Sequence, residues 1–175
     1  MSSYKRLFIW VEGDDDERFF KSVIIPKLRD EYDAVNIIKY AEMKKGKIYS
    51  YLRSINSMDA DYIYVADIDD SPCIMSKKGK IRRECKNIDI SKIIIVIKEI
   101  ESWYLAGLDN KARNHLKMGN IVNANNITKE KFNALIPDKF ISRIDFMLET
   151  LKYFSIEEAK RHNKSFKYFM EKYDY

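Results

Sequence analysis

Proline and glycine are scarce in this 175-residue chain, at three and five residues, which excludes collagen-like repeats, flexible linkers and low-complexity architecture. Cysteine is scarcer still. Cys73 and Cys85 are too few for a disulfide framework and match no metal-ligand spacing, so a reducing interior is expected and zinc has no thiolate support. Long apolar runs are missing as well. Leu7–Val11 and Ile93–Ile97 stop at five residues, against the roughly 20 that a membrane-spanning helix needs. The residues Met1–Arg6 lead into too short an apolar stretch for a signal-peptide core. A soluble, cytoplasmic protein with no membrane association is the expectation.

What is present is a composition able to fill a core, 46% hydrophobic with 34% charged residues. The net charge of +5 and pI near 9.0 give a mild bias toward polyanions. The distribution says more than the total. Acids gather at Glu12–Glu17 and again at Asp67, Asp69 and Asp70, while bases gather at Lys77, Lys78, Lys80, Arg82, Arg83 and Lys86. Such segregation suits an acidic metal pocket set in a surface that holds phosphates.

Strand and helix signals alternate through the first half. Leu7–Val11 reads as a strand ending at Glu12-Gly13, where glycine permits a tight turn. Asp14 and Glu17 have capping-box spacing and open an amphipathic helix, through Phe19, Phe20, Val23, Ile24 and Leu28, that Pro26 should kink. A strand over Ala34–Tyr40, a helix around Ile48–Ile55, a strand over Asp61–Ala66 and a helix over Pro72–Lys86 follow. Lys92–Ile97 is β-branched throughout its apolar part and predicts a strand buried on both faces. This order predicts a mainly parallel sheet of about four strands between helical layers. Beyond Trp103 only helical windows remain: Lys111–Met118, Thr128–Leu135, Lys139–Tyr153 and Glu157–Tyr173, the last opened by a capping box at Ser155. The expected division is a core over residues 1–109 and a helical extension over 110–175, packed together as one structural unit.

In parallel α/β sheets functional residues collect at the carboxyl ends of strands. Glu12 closes the first strand with Asp16 four residues on, Asp67 and Asp69 close the third, and Glu99 and Glu101 lie beyond the fourth. Side chains two apart on extended backbone point the same way, so Asp67 and Asp69 are expected to face one ion. Mg²⁺ takes hard oxygen ligands from a few carboxylates, water and substrate phosphate, and two such ions clamp an in-line phosphoryl displacement. The bland readings differ by site. Asp14–Glu17 also suit a helix N-terminus, and Asp67–Asp70 also suit a turn before Ser71-Pro72. Glu99 and Glu101 also suit a cap on the helix carrying Trp103. A carboxylate after five apolar residues, as at Glu12, is costly unless partnered.

Phe8-Ile9-Trp10-Val11-Glu12-Gly13-Asp14-Asp15-Asp16 followed by Phe19-Phe20 resembles the first motif of TOPRIM domains. Tyr62-Ile63-Tyr64-Val65-Ala66-Asp67-Ile68-Asp69 resembles their second, an Asp-x-Asp pair, and Glu99-Ile100-Glu101-Ser102-Trp103 resembles a segment of small stand-alone TOPRIM-like proteins of prokaryotes. The resemblance spans Lys5 to Leu108. It implies a three-layer Rossmann-like core and the chemistry of the overcoming-lysogenization-defect (OLD) nuclease class. By that resemblance Glu12 is a general acid/base or metal ligand, Asp67 and Asp69 bind Mg²⁺, and Asp16 helps to hold a second ion, with Mn²⁺ able to substitute. The OLD class also uses a C-terminal lysine to stabilise phosphate charge, which makes Lys164 a candidate beside its reading as a surface lysine. Nothing in the chain resembles an ATPase domain, a topoisomerase tyrosine domain or a primase zinc module.

Two functions follow as expectations. One is a Mg²⁺-dependent nuclease hydrolysing DNA or RNA, in prokaryotic defence or nucleic-acid maintenance. In it Lys77, Lys78, Lys80, Arg82 and Arg83 hold the backbone, unless that run is a solvated helix face. The alternative is a non-catalytic metal- and nucleic-acid-binding module within a larger complex. Both leave room for a protein partner or a homodimer.

Overall fold

The computed structural model describes residues 4–119 and 123–173; Met1–Ser3 of the N-terminal stretch lie outside them. Two compact units divide the chain, residues 1–95 and 96–175.

In the first, β1 (Arg6–Val11), β2 (Ala34–Lys39), β3 (Asp61–Asp67) and β4 (Ile93–Val96) form a four-stranded parallel sheet of order β2-β1-β3-β4. β1 runs parallel to both neighbours, Trp10 level with Ile38 on one side and Tyr64 on the other. The connection from β1 to β2 moves one way along the sheet, and those from β2 to β3 and β3 to β4 move the other. Because such crossovers are right-handed, the helices between β1 and β2 belong to one face, and α3 (Lys45–Ser57) and α4 (Ile74–Glu84) to the opposite one. Packing agrees: Trp10, Tyr62, Tyr64 and Ile93 share one buried cluster with Ile48, Leu52 and Ile55 of α3 and Ile81 of α4. Leu7, Ile9 and Val11 alternate to the other face of β1 and are buried there.

The first helix departs from the expected simple kink. α1 (Asp14–Phe19) runs into a π-helical segment, Phe20–Ile24, and then α2 (Ile25–Leu28) with Pro26 in its first turn. Proline brings no N–H to the ladder there, and the wider turn before it inserts a residue into the repeat. Phe19 and Phe20, neighbours in sequence, are thereby both fully buried.

The second unit is helical: α5 (Glu101–Ala106), α6 (Asn110–Leu116), α7 (Lys129–Ala134), α8 (Arg143–Lys152), α9 (Ile156–His162) and α10 (Lys164–Lys172). Every residue of α5 is buried, and α7, α8 and α9 pack around it. The two compact units divide at 95/96. Side-chain caps start the later helices, among them Ser155 accepting from the Glu158 N–H at 3.3 Å. The window Glu157–Tyr173 is broken at Asn163, which ends α9 and caps α10 through its side chain. Trp103, Phe166 and Phe169 form the aromatic centre, with edge and tilted contacts at 5.1 and 5.5 Å.

Gly107, at the end of α5, is required by space. A Cβ there would lie 2.3 Å from the Phe154 ring. Gly107→Ala is expected to destabilise by about 1–3 kcal/mol, the range for overpacking a filled core, read as a lower guanidinium midpoint at unchanged m-value.

Candidate metal centre

β1 and β3 are neighbours, but their chains leave toward opposite edges of the sheet. The crevice beyond their carboxyl ends is therefore the switch point at which α/β proteins bind ligands. Glu12 directly follows β1, and Asp67 is the last residue of β3. Continuing the pairing of Trp10 with Tyr64 puts Glu12 level with Ala66, one residue before Asp67. Glu12 is exposed, so the burial cost expected of it does not arise.

The acidic first turn of α1 sorts itself. Asp14 meets Lys39 at 2.6 Å, Glu17 meets Lys21 and Lys39 at 2.6 and 3.0 Å, and Asp15 meets Arg18 at 2.6 Å. The Lys39 hydrogen bond holds the Asp14 carboxyl below its ordinary pKa, and those from Lys21 and then Lys39 do the same for Glu17. Asp16 instead turns inward and is buried. Its Oδ2 accepts from the Gly13 N–H at 3.2 Å, so the capping pair is Gly13 with Asp16 rather than Asp14 with Glu17. Gly13 itself is extended, with φ −146°, and makes no use of left-handed freedom.

Sequence reasoning missed Tyr40. It sits just beyond β2, donates its hydroxyl to the Val65 carbonyl at 2.8 Å and stacks on Tyr64 at 4.6 Å. Burial raises its pKa well above the ordinary tyrosine value. The neighbouring Tyr64 and the carboxylates of Glu12, Asp16 and Asp67 push it the same way. Carboxylates from the end of β1, the first turn of α1 and the end of β3 thus act on one phenol. The signal lay in position rather than residue type: Tyr40 follows the strand beside β1.

Asp69 does not join them. β3 ends at Asp67, and Asp69 is left-handed at φ 47°, so the extended alternation that would align the two acids has already stopped. Its side chain, 59% exposed, pairs with the nearly buried ammonium of Lys77. Lys78 is buried too, donating to the Ile90 carbonyl at 3.4 Å, and burial lowers its pKa. The expected basic surface on α4 therefore reduces to Lys80, Arg82 and Arg83, which are exposed.

The remaining candidates lie in the second unit. Glu99 accepts from the backbone N–H of Lys129 at the start of α7. Glu101 is buried and paired with Arg143, whose Nε donates to Asn133 at 2.9 Å. Lys164 is the first residue of α10 and exposed, its N–H donating to Asn125 Oδ1 at 2.8 Å.

Among the described residues no group of three or more His, Cys, Asp or Glu side chains is placed to hold a metal ion. The donor set at the switch point is of the chemical type that Mg²⁺ takes. All of it is hard oxygen, and Mg²⁺ is commonly held by one or two carboxylates, with water and substrate phosphate completing the shell. Among the described residues no helix is long and apolar enough to cross a membrane.

No protein-family model matches the chain, and no curated protein matches it. Among solved structures it is similar to one described as the C-terminal region of the Burkholderia pseudomallei OLD protein, at a TM-score of 0.54 and 11% sequence identity. The match covers 96% of this chain and 98% of that one, so the two share a fold along nearly their whole lengths.

Proposed function

We propose that this chain is a metal-dependent nuclease of TOPRIM type, hydrolysing phosphodiester bonds of DNA or RNA. The observation that supports the reading is the convergence of Glu12, Asp16 and Asp67 on Tyr40 at the switch point. Carboxylates gathered at one edge of a sheet repel one another, and a divalent cation relieves that repulsion. Glu12 and Asp67, with Asp16 behind them, would hold Mg²⁺, which when bound polarises a phosphoryl oxygen and lowers the pKa of bound water. The exposed Glu12 carboxylate would take the proton of the attacking water. Tyr40, kept protonated, fixes the end of β3 by its hydrogen bond to Val65. Lys39 engages Asp14 and Glu17, which reserves the inward position on α1 for Asp16.

The test is cleavage of labelled single- and double-stranded DNA and RNA with Mg²⁺, Mn²⁺ or EDTA, beside calorimetric Mn²⁺ titration. Asp67→Asn should lower the cleavage rate by at least about 100-fold, as loss of a metal ligand does, and weaken Mn²⁺ binding. Cleavage untouched by Asp67→Asn and Glu12→Gln would remove this site from the reaction. Metal binding with no cleavage by the unaltered chain would favour the non-catalytic module instead.

A further inference from the structure

We propose that the face formed by α9 and α10 is a second nucleic-acid contact, a rigid basic groove that grips the phosphodiester backbone. The proposal rests on the nuclease reading for the identity of its ligand. A concavity of about 510 Å³ opens there, lined by Lys160, Arg161, Lys164 and Lys167 together with Glu157 and Glu171. Four cations face two carboxylates. Arg161 is held by Glu158 at 2.7 Å, but the lysines are held loosely: Lys160 to Glu157 and Lys167 to Glu171 are both 3.6 Å, and those two glutamates are 71% and 58% exposed. Exposed pairs at that distance contribute little, so an incoming phosphate exchanges with them at small cost.

The frame beneath is fixed. Ser165, Phe166, Phe169 and Met170 bury the opposite side of α10. Asn163, at the turn between the helices, donates to Ser102 at 3.2 Å and accepts from Ser165 at 2.9 Å. Asn125 clamps the turn from outside, donating to the His162 carbonyl at 3.2 Å and accepting from the Lys164 N–H. Lys164 and Lys167 are three apart on one helix and so neighbours on its surface. Ammonium groups on a pre-organised scaffold bind a polyanion without first ordering a loop. Asn125 and His162 also line the groove, but the Asn125 amide is engaged with the turn. Lysine and arginine cations that meet phosphate read charge rather than base identity, the mark of backbone contact.

The experiment uses the full chain carrying Asp67→Asn, in EDTA, so that no turnover occurs. Anisotropy of labelled duplex DNA, single-stranded DNA and RNA is followed across a salt series. Combining Lys160→Glu, Arg161→Glu and Lys167→Glu should weaken binding roughly 10- to 100-fold and flatten the log–log salt slope by about 2–3. A control with Lys5→Glu, Lys27→Glu and Lys152→Glu changes the charge equally at exposed positions elsewhere and should bind as the parent does. An unchanged affinity and slope after reversal in the groove, or an equal loss in the control, overturns the proposal; circular dichroism melts verify that both variants fold. The readings fail separately. Groove-dependent binding in EDTA without cleavage in Mg²⁺ defeats only the nuclease, while Asp67-dependent cleavage with groove-independent binding defeats only the groove.

Discussion

Glu101→Ala will lower the free energy of unfolding by about 3–5 kcal/mol, the cost of leaving a buried ion pair with one partner. The Glu101 side chain is 5% exposed and that of Arg143 22%. The guanidinium also lies over the Phe132 ring at 5.4 Å, and its Nε is committed to Asn133. Removing the carboxylate leaves a guanidinium that is only 22% exposed without its counter-ion. Guanidinium unfolding followed by circular dichroism measures the loss. The double variant Glu101→Met, Arg143→Met should recover most of it, because apolar replacement of both partners avoids the desolvation of either. A loss below about 1 kcal/mol would mean that the pair does not carry this helix packing, and Glu101 would return as a ligand candidate.

Trp103→Ala is expected to cost about 3–5 kcal/mol, the range for truncating a large buried aromatic. Trp103 is completely buried, against Phe166 and Phe169. Its indole N–H donates to Ser165 Oγ at 2.9 Å, and the same oxygen accepts from the Ile97 N–H at 3.3 Å. Ser165→Ala isolates the second contribution: it removes little volume but strands the buried Trp103 N–H and the half-buried Ile97 N–H, for about 1–3 kcal/mol. Near-ultraviolet dichroism and guanidinium titration of both variants separate packing from hydrogen bonding. If Ser165→Ala proves neutral, the polar network is ornamental and the aromatic contacts alone hold α5 to α10.

β1 and β3 were legible because apolar runs rich in β-branched and aromatic residues lead to an acid, Glu12 and Asp67, and β4 because Ile93–Val96 is β-branched throughout. The crossover rule assigns helices to faces but not strands to places. The order β2-β1-β3-β4, and with it the switch point between Glu12 and Asp67, therefore came from the structure; the sequence supplied only acids at strand ends. Asp69 was misplaced, since alternation holds only while the backbone stays extended, and nothing local announces the left-handed turn or the capture by Lys77 eight residues on. Tyr40 was missed for a related reason: a tyrosine at a strand end reads as packing until its neighbours across the sheet are known. The break at Asn163 lies inside a window with unbroken helical periodicity. It is decided by partners more than 60 residues away, Ser102 and Trp103. Glu101 looked like a ligand because its countercharge, Arg143, comes from a helix 42 residues distant.

The π-helical segment has a bearing on how this sequence tolerates change. One surplus residue between Asp16 and Pro26 sets the phase of everything upstream, by about 100° for each residue gained or lost in a 3.6-residue repeat. Removing Lys21 would restore a regular helix, yet it would swing either Asp16 out of the crevice or one of the paired phenylalanines into water. Length in this stretch is thus coupled to chemistry, and a shortened homologue with a straight helix should carry its inward acid at a different offset from the Glu-Gly corner.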